Sequence, residues 1–298
     1  MRWYQKIPIK VEKINGGIFL EKKSGKILKN KTILVGLFIG LLVVGTVWAS
    51  SGGAHWGYEG EDGPANWHTL SPDYALCGSG TEQSPVNIAG FDASSLSDLN
   101  LNYKATGGKV LNNGHTLQVS LEPGSTLTVD GEEYDLLQFH FHTVSENTIA
   151  GKHYPMEIHF VHKSSAGGLA VISVMVEEGS SNTAIKPIVN LLPTAAGEEN
   201  VLDEAFNPET LLPSDKSVYR FMGSLTTPPC SEGVKWHVAK EPIGMSKDQI
   251  ASFAHIMGDN FRPTQREIGA AEGQSGGSTG IVVILLVAAG LVVYLKKK

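Results

Sequence analysis

The chain has 298 residues, 41% of them hydrophobic and 18% charged, which fits one or two globular domains and excludes a disordered chain. Its formal charge of −6 conceals an asymmetry: residues 1–31 carry nine Lys or Arg against two Glu, residues 296–298 are all Lys, and residues 32–295 hold 12 basic and 28 acidic residues, a net of −16. So acidic a body excludes a nucleic-acid partner, and a total of two Cys excludes both a disulfide-dense scaffold and a four-cysteine zinc module.

Residues 1–49 read as a leader. A Lys-rich stretch is followed by an uncharged apolar run over 33–47 and then by Trp48-Ala49-Ser50, the order of a secretory signal. Cleavage after Ala49 and retention as an uncleaved signal anchor are both open. Residues 50–268 read as a single β-rich domain without internal repeats. Alternating runs at 116–121, 125–129, 136–143, 156–162, 169–176 and 234–239 predict strands. Between them fall turn signals such as Asn112-Asn113-Gly114, Asp130-Gly131 and Ala166-Gly167-Gly168. Helices are few: Ser246 and Gln249 form a capping box that opens a helix to Met257, and a shorter helix is expected near 182–192, limited by Pro187.

Residues 269–279 are Gly/Ser-rich and read as a flexible stalk. Residues 280–298 read as a transmembrane segment, an apolar run closed by three Lys. The sixteen apolar residues span about 24 Å as a helix, somewhat short of a ~30 Å hydrocarbon core, and flanking Lys can snorkel. Terminal Lys fits the positive-inside rule. The expected topology places both basic ends inside and the acidic middle outside, as an extracytoplasmic domain tethered in the periplasm or at the cell surface. Cys77 and Cys230 then sit in an oxidising compartment and can pair.

The sharpest chemical feature is Gln138-Phe139-His140-Phe141-His142. In a strand, residues two apart point the same way, so His140 and His142 share one face and the two Phe the other. In Met156-Glu157-Ile158-His159-Phe160-Val161-His162, Glu157, His159 and Val161 share a face, and His162 turns away as a structural histidine. Three neutral imidazoles with an open fourth position make a catalytic zinc site. A carboxylate such as Glu157 can then orient one of them from behind. Taken in isolation, His-x-His is equally readable as surface or core imidazoles.

Several stretches together resemble the α-class carbonic anhydrases: His55-Trp56-Gly57-Tyr58, Gln83-Ser84-Pro85-Val86-Asn87-Ile88, Asn112-Asn113-Gly114-His115, the run from Gln138 to His142, Ser145-Glu146, Glu157-Ile158-His159, Leu169-Ala170-Val171, Gly223-Ser224-Leu225-Thr226-Thr227-Pro228-Pro229-Cys230 and Asn260-Phe261-Arg262-Pro263. They occur in family order across roughly residues 55–265. The resemblance implies a mainly β fold with short helices, a large twisted and mostly antiparallel central sheet, and Zn2+ at the base of a conical cleft. It implies reversible hydration of carbon dioxide to bicarbonate and a proton by a zinc-bound hydroxide, with ester hydrolysis as a side activity of the same centre.

The resemblance also implies roles. His140, His142 and His159 match the zinc ligands, and Gln138 and Glu157 stand behind them. Thr226 matches the residue that accepts a hydrogen bond from the hydroxide and donates to a buried acid, and Glu146 matches that acid. Val161, Val171, Leu225, Thr227 and Trp236 match the carbon dioxide pocket. His115 matches the proton shuttle, while Tyr58, Asn113 and Gln118 match the positions that order water along its path. Cys77 and Cys230 match the disulfide of secreted members, and Pro85 and Pro229 match cis-prolines.

Two residues depart from the family pattern. Asn147 replaces a usual His, which is expected to loosen the buried network, and Phe221 replaces a common Tyr, removing a hydroxyl near Ser84 and Trp236. A recognition module that has lost its metal, a dedicated zinc esterase and a zinc-holding structural protein are the competing readings; the presence of all three His argues against the first. Oligomeric state is left open, a homodimer included.

Overall fold

The computed structural model describes residues 11–14, 17–20, 53–90 and 96–269. The apolar run at 33–47, the stalk beyond Gly269 and the C-terminal apolar segment therefore lie outside the described residues. Among the described residues no helix is long and apolar enough to cross a membrane. The chain divides into Met1–Ser51 and Gly52–Lys298. The first unit contains an antiparallel hairpin in which Val11–Ile14 pairs with Gly17–Leu20.

The second unit is built on a twelve-stranded sheet. Seven strands form its body: β1 (Gly108–Asn112), β2 (Leu117–Leu121), β3 (Glu132–His142), β4 (Met156–Ser164), β5 (Leu169–Glu178), β6 (Ser217–Ser224) and β7 (Glu232–Ala239). They lie side by side as β1-β2-β3-β4-β5-β7-β6, with Glu199–Val201 beyond β1 and Leu96–Asp98 beyond β6. Along this row every neighbouring pair is antiparallel except β5 and β7, which run parallel. A separate three-stranded parallel sheet joins Thr148–Ile149, Val86–Ile88 and Arg266–Ile268. The mostly antiparallel, helix-poor architecture expected from the sequence is the one observed.

Local chemistry explains the turns. Between β1 and β2 the Asn113 Oδ1 accepts from the His115 and Thr116 amides, each at 2.9 Å, and Gly114 takes a φ of 88° that a Cβ would oppose. The capping box at Ser246 is present in both directions, and the helix Lys247–Met257 ends at Gly258 as expected. The shorter helix is a single turn, Lys186–Val189, with Pro187 in its first turn. β1 and β6 were not read as strands from the sequence. Gly108 and Lys109 open β1 without an apolar residue, and the burial of β6 does not alternate.

β3 shows how the sheet positions the site. Phe139 and Phe141 are fully buried in the main core, where Phe139 stacks on Phe160 at 5.2 Å and Phe141 meets Phe253 of the Lys247–Met257 helix at 4.4 Å. Each such ring contributes roughly 1.5–3 kcal/mol of burial. That anchors the strand through one face and leaves His140 and His142 projecting rigidly from the other. On the histidine side the chain is closed by a smaller layer. Cys77, in the short helix Leu76–Ser79, is disulfide-bonded to Cys230. Buried Arg262 donates to Gln83 Oε1, Ser84 O and Cys77 O at 2.7–2.9 Å. The Ser84–Pro85 and Pro228–Pro229 peptides are cis, as is Thr143–Val144.

Candidate metal centre

Strand register assembles the centre. β4 pairs with β3 so that His159 lies opposite His140 and Glu157 opposite His142. All three imidazoles therefore share a face, and Glu157 lies beside His159 on it, as alternation required. One ligand nitrogen from each of His140, His142 and His159 falls within 4.8 Å of the other two. A β-bulge between Val161 and His162 shifts the register just beyond the site. His162 faces the opposite side and is fully buried there.

Each ring is oriented by a separate acceptor. His140 Nδ1 pairs with Gln138 Oε1 at 2.9 Å, and His142 Nδ1 with the Asn260 carbonyl at 2.7 Å. His159 Nε2 lies 2.8 Å from Glu157 Oε1, a short electrostatic contact rather than an aligned hydrogen bond. The nitrogens left over are Nε2 of His140, Nε2 of His142 and Nδ1 of His159. His142 Nε2 is buried and has no hydrogen-bond partner. Three convergent nitrogens, each fixed from behind and one of them orphaned, are the donor set zinc takes in catalytic sites. Burial, and then the neighbouring His142 and His159 charges, hold His140 well below the ordinary imidazole range. Burial likewise lowers His142 against the Asn260 carbonyl. Neutral rings are what metal ligation needs.

Two buried carboxyls behave in opposite ways. Burial pushes Glu157 up, but the close electrostatic contact with His159, with hydrogen bonds from Ser173 and Asn147, outweighs it and holds the carboxyl at about 2. Glu157 Oε2 accepts the Glu146 and Asn147 amides at 2.6 and 2.8 Å, and Oε1 accepts Asn147 Nδ2 at 2.7 Å and the Ser173 hydroxyl. Four donors on one carboxylate explain its persistent charge. Glu146 is raised to about 7 by burial, opposed by His159, by a hydrogen bond from the Thr226 side chain and by the Arg262 amide. Its Oε1 accepts Arg262 N–H at 2.9 Å, while Oε2 lies 3.5 Å from His142 Nε2 and 3.8 Å from His159 Nδ1.

Asn147 departs from the expectation that it loosens this network. It is fully buried, donates twice to Glu157 and accepts the Val86 amide on Oδ1 at 2.9 Å. An amide offers both a donor and an acceptor in the plane, which serves both neighbours. Phe221 lies opposite Trp236 in the register, with the two rings parallel and their centroids 6.0 Å apart.

The apolar residues singled out in the sequence form one cluster. Val161 pairs with Val171 and Val171 with Trp236 across β4, β5 and β7. Leu225 packs against them, as do Val234, Leu169 and Phe221, which sequence reasoning had not placed in the pocket. Trp236 meets the edge of His159 at 5.0 Å. Thr226 is buried and Thr227 half-buried on the loop anchored by Cys230.

Farther out, His115 is half-buried and stacks on Trp56, 3.8 Å apart at 7°. Burial, and then the His55 charge, lower its pKa. Half-buried Tyr58 has its phenol raised by burial and by the Glu146 charge. Gln118 sits opposite His140 and donates to Ser120 Oγ at 3.0 Å.

Sequence reasoning missed Asn260 as a site residue. Its carbonyl fixes His142, its Oδ1 accepts the Thr143 amide, and its Nδ2 donates to the His115 and Phe141 carbonyls. Side-chain type gives no signal for a role carried by a main-chain oxygen. Ser173 was missed as well, although its place opposite His159 follows from the β4–β5 register.

Comparison with known proteins points the same way. A sequence profile of eukaryotic-type carbonic anhydrases matches residues 62–269. A carbonic anhydrase of Klebsiella pneumoniae is 45% identical over 223 residues, covering 74% of this chain and 89% of the relative. One of Neisseria gonorrhoeae is 46% identical over 213 residues, covering 71% and 84%. The solved α-carbonic anhydrase of Thermovibrio ammonificans, in complex with the inhibitor sulfanilamide, superposes with a TM-score of 0.70 at 44% identity, covering 72% of this chain and 96% of that one. With the fold, the three-imidazole centre and these relatives in agreement, the chain belongs to the α-type, or eukaryotic-type, carbonic anhydrase family.

Proposed function

We propose that the centre formed by His140, His142 and His159 hydrates carbon dioxide reversibly to bicarbonate and a proton, with zinc as its resident metal and His115 as the exit for the proton. Zinc-dependent carbon dioxide hydration is the activity of the family. The observation that carries the assignment of residues is the convergence of three ring nitrogens, each ring oriented by a different acceptor.

Zinc held there supplies the Lewis acidity that makes water a nucleophile near neutral pH, chemistry for which carbonic anhydrase is itself the reference example. The chain's own residues do the rest. In this reading the Thr226 hydroxyl gives its single proton to Glu146 in a hydrogen bond, so that Thr226 can only accept from a partner on its other side. A group bearing a proton is thereby favoured beside Thr226 and its lone pairs are directed. Val161, Val171, Leu225 and Trp236 offer an uncharged wall to an uncharged gas. Glu157 stays anionic and fixes His159 in one orientation. The released proton passes the polar side chains of Tyr58, Asn113 and Gln118 toward His115, whose ring plane is set by Trp56. Hydrolysis of small esters at the same centre is a side activity in this reading.

The test is stopped-flow hydration with parallel metal analysis of the wild-type chain and His159→Ala. Wild type is expected to hold about one zinc per chain and to turn over, and the variant to lose both. A zinc-loaded wild type without hydration activity would instead favour a recognition module.

The domain is further proposed to work outside the cytoplasm, tethered by the C-terminal apolar segment. The Cys77–Cys230 disulfide supports this, since such bonds persist in oxidising compartments. Digestion of the domain by protease added to cells whose outer barrier has been opened while the cytoplasmic membrane stays sealed, and its retention in alkali-washed membranes, are the expected results; protection under those conditions, or recovery in the cytosolic fraction, overturns the placement.

A further inference from the structure

Trp236 and His237 are consecutive on β7 and so face opposite sides of the sheet. Trp236 backs the metal centre. His237 borders a separate cavity of about 220 Å³, together with Asp130 and Arg220. Arg220 of β6 lies directly opposite His237 in the register. None of the residues assigned to carbon dioxide hydration lines this cavity.

Three features make the cavity a candidate site rather than a packing gap. First, His237 is only 3% exposed, yet its Nδ1 has no hydrogen-bond partner. Buried polar atoms are rarely left so. Burial, and then the Arg220 charge, push the His237 ring down to about 4, so the ring is neutral and carries one N–H. Second, Arg220 is incompletely neutralised. Its Nη2 donates to Asp130 Oδ1 at 2.8 Å, and among the described residues its other guanidinium nitrogens make no hydrogen bond. Asp130 is shared with Lys235, whose Nζ lies 3.5 Å away. Lys235 also has Glu132 Oε2 at 4.0 Å, so what remains for a second anion is the unpaired side of the Arg220 guanidinium fork. Third, the lining is also apolar, through Leu99, Leu127 and Val129. Water occupies about 30 Å³ in the liquid, so the space exceeds that of a bare small ion.

We propose that this cavity binds a small carboxylate carrying a short apolar tail, with its head group on Arg220 and the His237 ring and its tail against Leu127 and Val129. The proposal needs nothing from the metal centre and goes beyond the hydration activity.

The test is titration of the full-length, nitrogen-15-labelled protein with sodium butyrate. It is read at the His237 ring nitrogens and the Leu127 and Val129 amides, and separately at His140, His142 and His159, so that binding at the metal centre is recognised as such. A saturable shift at the cavity with a Kd on the order of 1 mM is expected. Arg220→Leu and His237→Phe, read at the two amides, should weaken it at least about tenfold, and n-butanol should give no saturable shift. Asp130→Asn removes the competing carboxylate and should tighten binding several-fold, a gain that misfolding cannot mimic. Asn also tolerates the left-handed backbone of residue 130, whose φ is 53°. Absence of a saturable shift at the cavity, a shift that survives both Arg220→Leu and His237→Phe, equal binding of butanol, or no tightening in Asp130→Asn overturns the proposal.

Discussion

Buried and half-buried histidines stand on both faces of the central sheet, and the two faces use them differently. On one face His140, His142 and His159 converge, each with one nitrogen spoken for and the other turned to a shared point. On the other, His162 is satisfied at both nitrogens: Nε2 is 2.7 Å from the Tyr103 hydroxyl and Nδ1 is 3.3 Å from the Ala170 carbonyl. Burial lowers His140, His142 and His162 alike, so burial and a depressed pKa do not separate a metal ligand from a structural imidazole. The separation lies in convergence, since an unpartnered nitrogen is found on His237 as well as on His142.

The largest effect that can break this comparison is the paired deletion of one histidine from each face. His159→Ala should abolish stoichiometric zinc, measured by mass spectrometry of the purified chain. His162→Phe should keep the metal while losing about 1–3 kcal/mol of stability in urea, because the Tyr103 hydroxyl is left without its acceptor. Zinc retained by the first variant, or lost by a folded second one, would erase the distinction.

Acid stability comes next. His162 ordinarily titrates near 6.5 and is pushed down to about 3 here, with burial as the main cause. Above pH 6.5 the ring is neutral in both folded and unfolded chains, and its contribution to stability is complete. Between 6.5 and 3 only the unfolded chain takes up the proton, so stability falls with pH, by about 5 kcal/mol across the window. Below 3 the loss levels off. The urea midpoint of His162→Phe, followed from pH 7 to 4, should therefore fall less steeply than that of wild type. Parallel curves would show that the ring is not held neutral.

A smaller and more specific effect concerns the outer end of the catalytic face. His115→Ala should slow hydration about a hundredfold in weak buffer, and imidazole-type buffers should restore it. A rate independent of buffer would remove His115 from the proton path. The mildest expected change is Glu157→Gln. It keeps the shape but removes the charge behind His159, and should weaken zinc affinity about 10- to 100-fold, measured by competition with a chelator. Unchanged affinity would mean that the 2.8 Å contact with His159 is incidental.

Much of this was legible before any coordinates. The alternation in β3 separated Phe139 and Phe141 from His140 and His142, because the two-residue period of a strand is a property of the backbone. The same period turned His162 away from His159. The capping box at Ser246 and the Asn113-Gly114 turn are short-range chemistry, complete within four residues. Ordered motifs across the domain marked the family.

Tertiary structure decided which of these local pieces meet. Nothing in the run from Met156 to His162 states that His159 stands opposite His140 rather than one residue along, since register is set by how two faces pack at once. The Asn260 carbonyl reaches His142 across 118 residues, and the Arg262 amide reaches Glu146 across 116, through a closed chain that no local pattern encodes. Asn147 reads as a weakness in the sequence and is a well-partnered donor in the fold, because a polar group is judged by the partners around it once buried. The amino-acid sequence by itself determined which side chains share a face and which segments can turn. The folded sheet alone decided which nitrogens converge, which carboxyl stays charged and which histidine is left unsatisfied, because those depend on distances between strands that are remote in the chain.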